Sequence, residues 1–150
     1  MRRRNGELVD YRVFRSVPED WRYIEGAIVL ECDGVAVLDA SMWDLVDQLW
    51  AYLIAGVEEL QSARRFSTYF PDQPLKLTIC HVGDGERLLT STDGDDAKKA
   101  VVCKREFFAE VATRGREYMA WLEKTLAHSC DTSPYRDLHE RASRLLAQLE

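Results

Sequence analysis

The stretch Ala27-Ile28-Val29-Leu30-Glu31-Cys32-Asp33-Gly34-Val35-Ala36-Val37-Leu38-Asp39 decides the fold. Two apolar, β-branched runs flank the pair Asp33-Gly34. Asp-Gly tolerates the positive φ that a two-residue turn needs at both central positions. The stretch therefore reads as a β-hairpin, and the rest of the chain is read outward from it.

Upstream, Glu7 to Arg15 reads as a first strand with Leu8, Val13 and Phe14 apolar, and Ser16 to Asp20 as a loop. Downstream, a long helix is expected over Ser41 to Leu60. Ser41 would cap it, and Asp44 three residues later completes a capping-box-like start. Met42, Leu45, Val46, Leu49, Leu53, Val57 and Leu60 form its inward stripe, widened by Trp43, Trp50 and Ile54. The opposite stripe runs through Asp44, Asp47, Gln48, Ala51, Tyr52, Ala55, Glu58 and Glu59, whose spacings of three and four share one face.

Strands follow over 66–70, 75–82, 86–92 and 99–104. They are separated by Pro71-Asp72-Gln73-Pro74, Gly83-Asp84-Gly85 and Asp93-Gly94-Asp95-Asp96. Short turns of this kind imply antiparallel neighbours. A second long helix spans 105–127, with Phe108, Val111, Ala112, Met119, Leu122 and Leu126 inward and Gly115 a close-packed point. Ser133-Pro134 opens a last helix striped by Leu138, Ala142, Leu145 and Leu149. The class expected is α+β: an antiparallel sheet built from hairpins, with two long helices packed on it and a C-terminal helix.

A length of 150 residues suits one domain with a real core, 1–150, with residues 1–6 frayed and 133–150 either packed on the sheet or appended. No uncharged apolar run approaches the roughly 20 residues a membrane span needs. The positive start, Met1 to Gly6, lacks the apolar run of a secretory signal. Cys32, Cys80, Cys103 and Cys130 are widely spaced and read as buried, reduced thiols of a cytoplasmic protein rather than as zinc ligands or disulfides.

Charge is the functional signal. From Ser16 to Ser62 one basic residue, Arg22, faces ten acids, a balance of −9 against −6 for the whole chain. Such a surface disfavours nucleic acid and favours a cationic partner. The terminal Arg2-Arg3-Arg4 does not offset that acidic body. On the acidic helix face Tyr52 would anchor the centre, ringed by Asp44, Asp47, Glu58 and Glu59. Glu31, Asp33 and Asp39 of the hairpin would extend the same surface.

No catalytic motif stands out, and no cofactor or metal is expected. His81 lies on the apolar side of its strand with Leu75, Leu77 and Ile79. It reads as a structural histidine, with a general base or metal ligand as the alternative. His128 suits a helix C-terminus. Asp93-Gly94-Asp95-Asp96 fails the calcium-loop pattern after its first acids, and Gly83-Asp84-Gly85-Glu86 lacks the basic helix start of a phosphate loop.

Three features together carry a resemblance. They are the Asp33-Gly34 hairpin, the acidic Ser41–Leu60 helix with its Leu45-Val46-Asp47-Gln48-Leu49-Trp50 run, and the Phe70-Pro71-Asp72-Gln73-Pro74 corner. In size, charge and layout the first two-thirds of the chain resembles the small acidic immunity proteins of bacterial polymorphic toxin systems. That resemblance implies a non-enzymatic inhibitor that occludes a basic cognate toxin domain. The alternative expectation is a homo-oligomeric structural or regulatory module, such as a homodimer through the apolar band of the first long helix. A third is an enzyme built through space around His81.

Overall fold

A computed structural model describes residues 1, 5–14, 17–18 and 20–149. The chain is α+β. Among the described residues, eight strands make three antiparallel sheets: β1 (Glu25–Gly26) with β4 (Asp44–Leu45), β2 (Leu30–Cys32) with β3 (Val35–Leu38), and a four-stranded meander. The meander contains β5 (Arg65–Tyr69), β6 (Leu75–Gly83), β7 (Glu86–Asp93) and β8 (Asp96–Cys103), in sequence order. Helix α1 covers Val46–Glu59, α2 Lys104–Leu126 and α3 Ser133–Leu149.

The hairpin forms as expected. Cys32 pairs with Val35 across the turn, with Asp33 at φ 49° and Gly34 at φ 78°. Both central residues are thus left-handed, as this turn requires. In the meander, alternation sets the two faces. Leu75, Leu77, Ile79 and Leu89 are buried on one side. Arg65, Tyr69, Lys99 and Val101 are exposed on the other.

The core lies between the buried side of the meander and the helices. Val37 and Leu38 of the hairpin join α1 residues Leu49, Leu53, Ile54 and Val57 and α2 residues Phe107, Phe108, Val111 and Ala112. Ser91 donates its hydroxyl to the Val37 carbonyl at 2.5 Å, tying the hairpin to β7. Helix α3 is integral to the fold rather than appended: Ala142 and Leu145 belong to this same core. A second cluster gathers Ile24, Val46, Tyr118, Met119, Leu122, Leu126 and Tyr135.

Three sequence readings need correction. Glu7 to Arg15 is not a strand: Tyr11–Val13 is a short 3-10 turn, capped by the Asp10 carboxylate accepting the Arg12 N–H at 2.9 Å. Residues 15 and 16 lie outside the described residues. Met1 is not frayed. It is 8% exposed, and its amino group donates to the Val9 carbonyl at 3.0 Å. The remaining arginines of that segment, 2–4, lie outside the described residues.

The first long helix starts five residues late. Ser41 does not cap it. Its backbone N–H and hydroxyl both donate to Asp39, at 2.8 and 2.5 Å, closing a local turn. Asp44 and Leu45 then pair as a strand with Gly26 and Glu25, and α1 begins at Val46.

Candidate functional site

The acids expected to form one surface are dispersed by this late start. Asp44 lies in β4, not on the helix, and is 2% exposed. Its carboxylate accepts the Leu45 N–H at 2.7 Å, the Asp72 N–H at 3.1 Å and the Gln73 N–H at 3.0 Å. Asp44 therefore holds the corner after β5 in place. A cationic partner would have to break that network to reach it.

Asp47 occupies the first turn of α1 and is half-buried. Burial pushes its carboxyl pKa up, opposed by the backbone amides of the helix start and by the Tyr135 hydroxyl. Tyr135 comes from α3, so this contact joins α3 to α1. Burial pushes the Tyr135 phenol up as well. Glu58 is held by Arg141 of α3, with Nε at 3.1 and 3.2 Å and Nη2 at 2.5 Å. Tyr52 is half-buried and borders a crevice with Thr68 and Phe70. It does not stand free at the centre of a ring.

The hairpin fares differently. Asp39 is half-buried and paired with Lys98 of β8. Lys98 and Ser41 hold its carboxyl pKa down to about 2. Glu31 and Asp33 are exposed, as is Glu59 at the end of α1. Much of the sequence's acidic excess is thus answered inside the molecule, by Lys98, by Arg141 and by backbone amides at 72–73. The apolar band of α1 is likewise used within the chain: Val46, Leu49, Leu53, Ile54 and Val57 are buried.

A cleft lies beside the hairpin, with a volume of about 540 Å³. Its floor is made by α1 and α2 through Val46, Trp50, Leu53, Phe107, Val111 and Tyr118. One wall is Ala27 to Leu30, the run that enters the hairpin, and the other is the segment Leu8 to Arg12. Volumes of roughly 300–1,000 Å³ with apolar lining and few polar groups are typical of ligand sites.

Charges sit on its rim. Arg12 is paired with Asp10, and its Nε lies 2.9 Å from the carboxylate. This guanidinium holds the Asp10 carboxyl pKa down to about 2. Arg114 donates to Glu110 at 2.7 Å and to Glu117 at 3.3 Å. Among the described residues the lining therefore carries three carboxylates, two guanidiniums and the Met1 amino group.

Tyr118 is the deepest polar group of the cleft, 2% exposed. Its hydroxyl donates to the Met1 sulfur at 3.3 Å. Burial raises the phenol well above its ordinary pKa, so it stays protonated and can donate. Its ring lies 5.1 Å from Tyr11, edge on, and 5.7 Å from Trp121, stacked. No spacing in the sequence announces this cleft, because six separated segments assemble it.

His81 is half-buried, and its Nδ1 lies 3.1 Å from Arg64 Nη2. An arginine can only donate, so Nδ1 accepts and the ring proton sits on Nε2. Its cross-strand partner Arg87 is 4% exposed, lies over the Phe108 ring at 5.8 Å and donates to the Glu86 carbonyl at 2.7 Å. Sequence reasoning missed this buried cation, which a plain alternation of apolar residues does not reveal. The cysteines are unpaired, and the expected burial does not hold: Cys103 is exposed and the other three are half-buried. Among the described residues, no group of three or more His, Cys, Asp or Glu side chains is placed to hold a metal ion. No helix among them is long and apolar enough to cross a membrane.

Fold and site together define a small α+β domain that carries an apolar cleft next to an acid-bearing hairpin. No protein-family model matches the chain, and neither a curated protein nor a solved structure matches it.

Proposed function

We propose that this chain is a non-enzymatic protein-binding domain that takes a basic partner, in the manner of an immunity protein inhibiting a toxin domain. One observation carries the reading. The hairpin presents the exposed acids Glu31 and Asp33 next to exposed Val29 and Val35, at 63% and 40%. Apolar side chains supply contact area, while flanking carboxylates steer a cationic surface into place. The acids at 44, 47 and 58 have structural duties, so the binding surface contracts to the hairpin. Four unpaired cysteines support a reducing compartment such as the cytoplasm.

The test is an affinity capture from native cells at low salt, run in parallel with a Glu31→Lys, Asp33→Lys variant. A stoichiometric basic protein that salt releases, and that the variant fails to hold, is the expected result. Equal recovery by both forms would remove the hairpin from the interface. Recovery of the bait alone, from cells shown to make the neighbouring gene products, would sink the binding role.

A further inference from the structure

We propose that the cleft between α1, α2 and the Ala27–Leu30 run is a binding site for a small uncharged apolar molecule bearing one carbonyl acceptor. This inference stands apart from the protein-binding reading. Two observations fix the chemistry of the ligand.

The first is the Tyr118 hydroxyl. It is buried at the cleft, and its acceptor is the thioether of Met1, at 3.3 Å. A thioether is a weak acceptor. A buried donor that is poorly matched costs free energy, and a carbonyl oxygen would satisfy it better. Met1 has three rotatable bonds and lines the same cleft, so it can yield that position to a ligand.

The second is the balance of charge at the mouth. Among the described residues each cation at the mouth is already engaged: Arg12 by Asp10, Arg114 by Glu110 and Glu117, and the Met1 amino group by the Val9 carbonyl. An anionic ligand, such as a free fatty acid, would have to compete for them with the carboxylates of Asp10, Glu110 and Glu117. An uncharged ligand does not. The floor offers Trp50 and Tyr118, with ring centroids 6.2 Å apart, as aromatic surface for a flat ring. A volume of about 540 Å³ accommodates a bicyclic molecule, since a cavity of about 150 Å³ already takes benzene.

The test uses 2-acetylnaphthalene, an aryl ketone, and 2-ethylnaphthalene, a hydrocarbon of nearly the same shape. Each is titrated into the full chain while amide NMR shifts and Trp fluorescence are followed. Saturable binding is expected, with shifts centred on residues such as Leu8, Val46 and Val111. The ketone should bind about tenfold tighter than the hydrocarbon, the worth of one net hydrogen bond. Tyr118→Phe should erase that preference. Ala27→Trp, which fills the wall, should weaken both ligands at least tenfold. Three results would each overturn the proposal: no saturable binding up to the solubility limit, shifts centred elsewhere, or a ketone preference that survives in Tyr118→Phe. Wild-type shift mapping needs no variant, so a variant that fails to fold does not shield the proposal.

Discussion

The Asp44 carboxylate accepts the backbone N–H of Asp72 at 3.1 Å, across 28 residues of sequence. That bond and its neighbour to Gln73 fix the Pro71–Pro74 corner against the start of α1. Asp44→Ala should leave those amides unmatched in a partly buried place. The expected loss is about 2 kcal/mol, because hydrogen bonds to charged groups are worth more than neutral ones. Urea denaturation would measure it. A change below a few tenths of a kcal/mol would show that the corner holds without Asp44.

Glu58 and Arg141 form a fork across α1 and α3, with side chains 34% and 27% exposed. Partial burial and two-point geometry place this pair at the upper end of surface ion pairs. A double-mutant cycle with Glu58→Gln and Arg141→Met should give a coupling of about 1 kcal/mol. A coupling indistinguishable from zero would mean that α3 is held by its apolar stripe alone.

Acid should weaken the fold through Asp39 and Asp10. Each has a folded pKa of about 2 against an ordinary value of 3.8. The unfolded chain takes up these protons first, so their contribution is complete above pH 3.8. It is lost progressively as pH falls from there through about 2. Asp39→Asn should therefore show a shallower loss of stability over that window than the parent protein. Parallel curves for the two would show that the Lys98 contact does not persist in solution. The effect should be modest, since Lys98 remains 43% exposed.

Gly56→Ala should destabilise, although alanine is the better helix former by about 1 kcal/mol. A Cβ at this position would lie 2.6 Å from the Phe66 ring, which β5 packs against α1. Forcing an extra methyl into a packed core costs about 1–3 kcal/mol. Thermal melts that rise rather than fall would place Phe66 elsewhere.

Legibility in the sequence followed the range of the interactions. The Asp33-Gly34 turn and the β6–β7–β8 hairpins are set by neighbours a few residues apart, and they form where their turn residues stand. The start of α1 is not set locally. Ser41 and Asp44 imitate a capping box, but Ser41 turns to Asp39 and Asp44 turns to Asp72 and Gln73. The same long range explains the acids. A helical face can be drawn from spacing, yet Arg141 and Tyr135, which occupy it, arrive from the last helix. The cleft was illegible for the same reason, with Met1, Ala27, Trp50 and Tyr118 meeting only in three dimensions.

The meander has a consequence for how the chain finds its shape. Every strand from β5 to β8 pairs with its sequence neighbour. Loop closure there is short and its entropic cost small. The pairing of Gly26 with Asp44, by contrast, must wait for the intervening hairpin to be placed. Pulse-labelled amide exchange should protect β6 and β7 before β1 and β4, and the reverse order would refute this sequence of events. Because α3 supplies Ala142 and Leu145 to the common core, a ribosome-bound chain would hold a formed sheet but an unsealed interior until α3 had emerged.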